Sequence, residues 1–240
     1  MRPGARETEA NENLSFDLSI GDLMAALLLI FILLLASNLL NLKKEYEQKS
    51  DVAERYNQLQ VALYMDLYRE FKDDLPKWGA VLDQKTLSVR FKEPDVLFEP
   101  DSSILKPAFK GILADFFPRY LKVLMQPKYR DNIEELRIEG HTAKSDLHSY
   151  MDHIDVSQAR TDAVLRYVIS LPPVADKPDV LEWTESKVTA NGLAYSHPVL
   201  NADGTPNWDL SRRVEFRVRT NAEQQIRELL NIGSEYQGQK

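Results

Sequence analysis

The chain has 240 residues, with 30 basic and 37 acidic side chains and a formal charge of −7, so it lacks the basic excess that neutralises nucleic-acid phosphates. It contains no cysteine, which excludes disulfides, thiolate metal ligands and a cysteine nucleophile. Its few glycines form neither a GxxxxGK nor a GxGxxG phosphate-binding motif, and its apolar residues are concentrated in one segment.

This apolar segment predicts a membrane-spanning helix. Residues 23–36 read LMAALLLIFILLLA. A helix over residues 20–40 would be about 31 Å long at about 1.5 Å per residue, which matches the hydrocarbon core of a bilayer. A cleaved signal peptide is the alternative, but the preceding residues are mainly acidic and no small-x-small cleavage site follows. We therefore predict an N-terminal tail over residues 1–18 and a retained transmembrane helix over residues 19–42.

Asp22 lies at the start of this segment and has two interpretations. Ser19 and Asp22 fit a capping box, in which both side chains bond to backbone N–H groups at the start of a helix. Alternatively, Asp22 carries an ion, because an acidic group in a membrane is costly and proton relays use such groups. The spacing alone favours the cap.

Residues 43–75 lack glycine and proline and predict a helix that continues to Pro76. Apolar residues recur in it at roughly heptad spacing, namely Leu42, Tyr46, Ala53, Tyr56, Leu63 and Leu67. This pattern favours a stalk that pairs with a second copy, although Lys49 and Gln60 interrupt the apolar stripe. The alternative is an amphipathic helix that lies on its own globular domain.

Residues 76–220 alternate strand and helix patterns, which predicts one α/β domain with a mixed sheet. Strand patterns cover residues 87–91, 96–98, 133–139, 187–192 and 214–218. Helical patterns cover residues 104–125 and 154–171, and in the second of these one side is formed by Val156, Ala159, Ala163, Val164, Tyr167 and Val168. Residues 201–206 predict a loop. A last helix is predicted over residues 221–231, within a C-terminal segment of residues 221–240.

Three motifs in this domain resemble the OmpA-like peptidoglycan-binding family. They are VLFEPDSSIL at residues 96–105, IEGHT at 138–142 followed by VSQAR at 156–160, and SRRVE at 211–215. The resemblance implies a β-α-β-α-β core that binds the diaminopimelate part of the peptidoglycan stem peptide.

The same resemblance assigns residues to the ligand pocket. Arg160 matches the arginine that binds the ligand carboxylate, a task that suits the guanidinium fork. A surface arginine on an amphipathic helix is the alternative for Arg160. The other positions assigned to the pocket and its wall are Thr142, Asp152, His153, Val156, Ser157 and Arg213. Of these, Arg213 is expected to brace the sheet and the pocket wall, as is Arg212.

One position departs from the family pattern. Ala143 stands where the family has an aspartate, which removes the usual partner of the ligand amine. Asp146 and Asp152 are the candidate replacements.

The sequence does not indicate a metal site or a catalytic centre. The spacings of His141, His148 and His153 match no common zinc pattern. No paired carboxylates or Ser-His-Asp arrangement are evident, so we expect a protein without cofactor that is not an enzyme.

The order of the segments resembles the B subunits of MotB-type rotary motors over essentially the whole chain. The resemblance implies a homodimer inside a ring of five A subunits, with Asp22 binding the proton or sodium ion. It also implies a domain anchored to peptidoglycan outside the bacterial inner membrane and a cytoplasmic N-terminus. The positive-inside rule does not favour that orientation, because the basic residues lie mainly after the span.

Two stretches resemble the B subunits of Zorya-type anti-phage motors. They are SIGDLMA at residues 19–25 and the Asp-Gly-Thr-Pro loop at 203–206 that leads into SRRVEF. The resemblance implies a role in phage defence, with a signal passed to cytosolic effectors through the A subunit. Membrane lipid is a further expected contact, and direct binding of nucleic acid is not expected. A flagellar stator subunit and a passive tether between membrane and cell wall are the alternatives.

Overall fold

The computed structural model of the chain describes residues 4–92, 97–99, 102–145 and 147–221. Within these ranges the side chains of residues 4–22, 45, 48–53, 55 and 56 are not described. The chain forms two compact units, residues 1–53 and residues 54–240. The helix predicted over residues 221–231 lies outside the described residues, except for Asn221.

Helix α1 (Gly4–Phe71) contains the apolar segment. Its residues Leu23–Lys44 have a mean hydropathy of 2.7 and are not buried within the protein, so this part is long and apolar enough to cross a membrane. The helix begins at Gly4, and Ser19 is therefore not an N-cap. The capping-box interpretation of Ser19 and Asp22 is wrong for this reason.

The last turns of α1 belong to the core of the globular unit. Leu63, Leu67 and Phe71 are almost completely buried, and the Phe71 ring lies 5.2 Å from the ring of Phe116. Burial of these apolar side chains supplies the main free energy that holds the helix end in place. For these residues the structure matches the second interpretation of the predicted stalk, a helix that packs on its own domain.

Charged side chains reinforce this contact. Arg119 donates hydrogen bonds to Glu70 Oε1 at 2.8 Å and to Asp74 Oδ2 at 3.0 Å. Lys128 donates to Asp66, and this hydrogen bond is the main reason that the pKa of Asp66 lies below its usual range. The end of α1 is thus fixed both by apolar packing and by ion pairs.

A five-stranded mixed sheet forms the centre of the globular unit, in the order β1-β2-β7-β3-β4. The strands are β1 (Ala80–Asp83), β2 (Ser88–Lys92), β3 (Ile133–His141), β4 (Val188–Gly192) and β7 (Arg213–Thr220). Strands β3 and β4 are parallel, and the other neighbouring pairs are antiparallel. A separate hairpin is formed by β5 (Val199–Leu200) and β6 (Pro206–Asn207). The mixed sheet confirms the predicted fold class.

The helices of this unit are α2 (Pro107–Leu124), α3 (Pro127–Arg130), α4 (Tyr150–Ile169), α5 (Pro172–Ala175), α6 (Pro178–Lys187) and α7 (Trp208–Ser211). Of these, α2 and α4 pack against one face of the sheet. Phe216 of β7 packs against Phe116 of α2, with ring centroids 5.1 Å apart, and pairs with Ile138 of β3 in register. The other face carries the alternate residues of the strands, most of which are charged.

Two local predictions differ from the structure. Residues 96–98 were expected to form a strand, but Phe98 makes only an isolated bridge with Leu105. On α4, Val156 and Ala159 were expected on the buried side, but both are exposed. The buried side of α4 consists of His153, Ser157, Thr161, Val164 and Val168. The first part of this buried side is polar. There α4 lies so close to the sheet that only small or flat side chains, such as those of Ser157, Thr161 and His153, fit between them.

Candidate functional site

Two glycines allow α4 to approach the carboxyl ends of β3 and β4. A Cβ at Gly140 would lie 2.7 Å from the carbonyl oxygen of Ser157, and a Cβ at Gly192 would lie 2.5 Å from the backbone nitrogen of Gln158. These separations are well below van der Waals contact, so both positions require glycine. Helix α4, which carries most of the predicted site residues, is thereby fixed against β3, the strand that leads into Thr142.

Hydrogen bonds from α4 strengthen this contact. The Ser157 hydroxyl accepts a hydrogen bond from the backbone N–H of Ala194 at 3.1 Å and is itself buried. Gln158 Nε2 donates to the carbonyl of Ala190 at 3.2 Å, and its Oε1 accepts from the N–H of Gly192 at 2.8 Å. Ser157 is therefore placed to position the helix, with its hydroxyl already bonded inside the protein.

The first turn of α4 is closed by a capping box. Asp152 accepts hydrogen bonds from the backbone N–H and the hydroxyl of Ser149, each at 2.8 Å, while Ser149 Oγ accepts from the N–H of Asp152. These bonds from Ser149 hold the pKa of Asp152 below its usual range. Because the Asp152 carboxylate already binds Ser149, it is poorly suited to bind a ligand amine in place of the aspartate that is absent at Ala143. Asp146 lies outside the described residues.

Arg160 lies against the segment that precedes α2. Its Nε donates a hydrogen bond to the carbonyl of Ser102 at 3.0 Å, and its guanidinium carbon lies 5.0 Å from the centre of the Phe98 ring. A cation held over an aromatic face gains electrostatic attraction, and the carbonyl fixes the orientation of the fork. The structure thus places Arg160 beside Ser102, a contact that the sequence motif alone did not reveal.

An open cavity of about 390 Å³ adjoins this contact. It is lined by Ser102, Ser103, Asp155, Val156 and Ala159. The carboxylate-bearing residue Asp155 lines this cavity, and Arg160 is connected to it through the carbonyl of Ser102. The sequence motifs do not single out Asp155, which lies five residues before Arg160 on α4.

Polar side chains are buried without hydrogen-bond partners at the end of β3. Within the described part of the chain they are both ring nitrogens of His141 and Oγ1 of Thr142. The same holds for Nε2 of His153 on α4. Burial lowers the pKa of His141, so its ring is neutral at pH 7. Buried polar groups without partners cost about 1–3 kcal/mol each, and such groups are commonly satisfied by water or ligand.

Arg213 lies on the opposite face of the sheet from α4, in a buried ionic network. It donates to Glu215 through Nε, to the carbonyl of Ser211 at 2.9 Å and to the carbonyl of His197 at 3.2 Å. Arg90 Nε lies 2.9 Å from the same Glu215 carboxylate. Burial alone would raise the pKa of Glu215, but the attraction of Arg213 and Arg90 outweighs it and the pKa is lowered. These contacts are those of a residue that braces the sheet.

The described residues contain no group of three or more histidine, aspartate or glutamate side chains arranged to hold a metal ion. The predicted ion site, Asp22, lies in α1, and its side chain is outside the described part of the structure. Of the predicted peptidoglycan residues, Val156 lines the cavity and Arg160 is bonded to Ser102 on its wall. Ser157 and Asp152 hold α4 in place. Thr142 and His153 are buried, and Arg213 lies on the other face of the sheet.

The chain is similar in sequence to one known protein and in structure to several others. The chain is 43% identical over 219 residues to the Zorya protein ZorB of Escherichia coli, which covers 88% of this chain and 91% of that protein. Among solved structures, a MotB-like protein from Desulfovibrio vulgaris is 23% identical with a TM-score of 0.47, covering 71% of this chain and 94% of that one. The cell wall anchor of the T6SS from Pseudomonas aeruginosa is 21% identical with a TM-score of 0.43, covering 64% of this chain and 96% of that one. No protein-family model matches the chain.

Proposed function

We propose, because this chain belongs to the ZorB family, that it is the stator-like B subunit of an ion-driven motor that protects bacteria against phage. The observation that carries this proposal is the sequence identity, which extends over nearly the full length of both chains. A single apolar helix, Leu23–Lys44, provides a membrane anchor for such a subunit. Because the order of the segments resembles the B subunits of rotary motors, we infer a role without hydrolysis.

The proposed orientation follows from the ligand. Peptidoglycan lies outside the bacterial inner membrane, so a domain that binds it must be periplasmic and the N-terminus of a single-pass chain must be cytoplasmic. The basic residues that follow the span, such as Lys43 and Lys44, oppose this orientation only weakly, because their number is small.

Peptidoglycan anchoring is assigned to the cavity beside Arg160. The guanidinium would bind the carboxylate of the diaminopimelate residue, and the carboxylate of Asp155 would bind its amine. Asp155 thereby replaces the acidic residue that is absent at Ala143. Two observations support this assignment: Asp155 lines the cavity together with Ser102, and Arg160 donates a hydrogen bond to the carbonyl of Ser102.

Ion transport is assigned to Asp22. An ion that enters from outside neutralises Asp22 in one of two B subunits, which removes the desolvation cost of the charge and releases it from an A-subunit partner. Loss of the ion to the cytoplasm then lets a ring of five A subunits step around the two B subunits. Each elementary charge that crosses supplies about 2.3 kcal/mol per 100 mV. We propose that rotation of the ring passes a signal to cytosolic effectors.

The substitution Asp22→Asn tests this function, because asparagine keeps the size of the side chain and removes its charge. We expect cells that co-express the A subunit and the variant to lose protection in a phage-plating assay. Asp17→Asn, which removes a carboxylate outside the predicted span, is the matched control and should protect fully. Immunoblotting of membrane fractions establishes that both variants are made and inserted.

The possible outcomes separate the alternatives. Full protection by Asp22→Asn at normal protein levels would contradict the motor and would favour a passive tether. Loss of swimming with unchanged phage sensitivity, after deletion of the gene, would indicate a flagellar stator subunit.

A further inference from the structure

A cluster of aromatic rings lies at the start of α4, next to the predicted site residue His153. Tyr195 is at its centre, with its ring 5.3 Å from that of Tyr150, 5.1 Å from that of His153 and 6.4 Å from that of Trp208. All of these contacts are edge-to-face, the geometry that aromatic quadrupoles favour. The rings therefore hold one another in place and form a rigid surface before any ligand binds.

This aromatic cluster is accessible to solvent. Tyr150 is 44% exposed, and Tyr195 and Trp208 are half-buried. Adjacent segments expose further apolar side chains, namely Leu147, Met151, Leu200 and Leu210. Apolar side chains that remain exposed over neighbouring segments are typical of a surface that binds another molecule.

The hairpin that leads into Trp208 adds neutral polar groups to this surface. Asn201 donates a hydrogen bond to the hydroxyl of Thr205 at 3.1 Å, and Asn207 donates to the side-chain oxygen of Asn201 at 2.9 Å. These bonds fix the shape of the hairpin and leave amide and hydroxyl groups at its surface. The hairpin also carries the carboxylate of Asp203, which accepts hydrogen bonds from the N–H of Thr205 at 2.9 Å and from its hydroxyl at 2.6 Å.

We propose that Tyr150, Tyr195 and Trp208 bind the glycan strand of peptidoglycan beside the stem-peptide cavity. One face of a hexose ring is rich in C–H groups and packs on aromatic rings, while its hydroxyl and N-acetyl groups bond to polar groups such as a phenol or an indole N–H. The carboxylates on this surface, Asp203 and Asp209, offer an anionic lipid no counter-charge, whereas they do not repel a neutral sugar. This inference rests on the proposed function, because it takes the sugar to be linked to the stem peptide bound at Arg160.

The spacing along α4 suits a single continuous ligand. Tyr150 and Arg160 are ten residues apart on this helix, which is about 15 Å at about 1.5 Å per residue. A stem peptide bound through its third residue extends about 3.5 Å per residue, or about 10 Å, towards the sugar, and the lactyl group adds to that reach. His153, which lies between the two positions, contacts the aromatic cluster directly.

Binding of two separated ligands tests the proposal. The full chain in detergent micelles is titrated calorimetrically with peptide-free glycan chains, obtained from sacculi by amidase digestion, and separately with the diaminopimelate-containing stem tripeptide. We expect Tyr150→Ala and Trp208→Ala to weaken glycan binding about three- to tenfold and to leave tripeptide binding unchanged. Arg160→Ala is expected to give the opposite pattern.

Controls distinguish ring contacts from folding. Tyr68 has nearly the same exposure as Tyr150, at 45%, but lies on α1, and Tyr68→Ala should bind both ligands normally. Tyr150→Phe and Trp208→Phe keep an aromatic ring and should retain most of the glycan affinity. Circular dichroism melting curves confirm that each variant is folded.

Each result leads to a separate conclusion. Wild-type glycan affinity in folded Tyr150→Ala and Trp208→Ala variants would overturn the proposal, as would a wild-type chain that binds the tripeptide but not the glycan. In those cases cell-wall anchoring through Arg160 would stand. A wild-type chain that fails to bind intact sacculi would instead overturn the proposed function.

Discussion

Arg160 is the residue whose removal should affect cell-wall binding most. Loss of a charge-assisted hydrogen bond costs about 1.5–3 kcal/mol, so Arg160→Ala should reduce recovery of the full chain on purified sacculi by roughly tenfold or more. Arg166→Ala removes an exposed arginine from the same helix and should leave recovery unchanged. Equal recovery of the Arg160 variant and the wild type in a pull-down would count against the site.

His141 predicts a dependence of stability on pH. Its pKa is lowered mainly by burial and further by Arg213, while Glu139 and Glu215 oppose the shift. Below a pH of about 6.5 the unfolded chain therefore binds a proton at this position that the folded chain does not, so stability falls as the pH decreases, by at most about 1.4 kcal/mol per pH unit.

Melting temperatures of the full chain in detergent, measured between pH 7.5 and 5.5, check this dependence. We expect the slope to be smaller in His141→Gln than in the wild type and unchanged in His197→Gln, because His197 is exposed. An identical slope in the His141 variant would show that other groups cause the pH effect.

The roles of individual residues were only partly predictable. The location of Arg160 on α4 could be predicted from the VSQAR motif. The regular helical period then determines which residues lie on the same side of the helix as Arg160. The commitment of Asp152 to Ser149 depends on where α4 begins, and helix ends are the least regular part of a sequence pattern. The burial of Glu215 with Arg213 depends on strand register, which is set by partners far away in the chain.

At the scale of elements, the contact between α4 and the sheet depends on glycine. Gly192→Ala would force a Cβ to within 2.5 Å of the Gln158 backbone, and separating the helix from the strand should cost about 1–3 kcal/mol, as overpacked sites do. Gly111→Ala is the matched control, because Gly111 lies in α2 with no atom within 4 Å of its Cβ position. There alanine should stabilise the protein by about 0.5–1 kcal/mol.

Denaturant unfolding of the two variants, followed by tryptophan fluorescence, should show shifts of opposite sign. A Gly192→Ala variant as stable as the wild type would mean that α4 can move away from β4 without loss.

Long, alternating elements were predicted better than short ones. The patterns over residues 133–139 and 214–218 correspond to β3 and β7, because each of these strands has one buried apolar face and one polar face. Strand β1 was missed, since its four residues at the edge of the sheet are too few to show a period. Helix α6, at Pro178–Lys187, was missed because a proline usually indicates a break, whereas here it starts the helix.

At the scale of the whole molecule, the globular unit requires the end of α1. A fragment of residues 54–240 contains Leu63, Leu67 and Phe71 and should unfold cooperatively on heating. A fragment of residues 76–240 lacks them, and each large buried side chain contributes about 2–5 kcal/mol against a total stability of about 5–15 kcal/mol. We expect the shorter fragment to aggregate or to melt without cooperativity.

Circular dichroism melting of both fragments, with residues 45–240 as a control that should match 54–240, measures this difference. An equally stable fragment of residues 76–240 would show that the helix end is dispensable.

The net charge of −7 and the overall composition combine two unlike units. The first contains the exposed apolar residues of Leu23–Lys44, and the second contains a charged sheet face and a core rich in phenylalanine. Mean composition therefore could not predict the membrane segment, whereas the local run of apolar residues did.

Strand β4 forms one edge of the sheet, and two of its outward backbone groups are already bonded. The N–H of Leu193 turns inward to the carbonyl of Gly140, whereas the carbonyl of Ala190 and the N–H of Gly192 bind the side chain of Gln158. An open edge invites strands from other molecules and hence fibrillar growth. Because one glutamine occupies these two groups, a strand from another molecule cannot pair with β4 at this point of the edge.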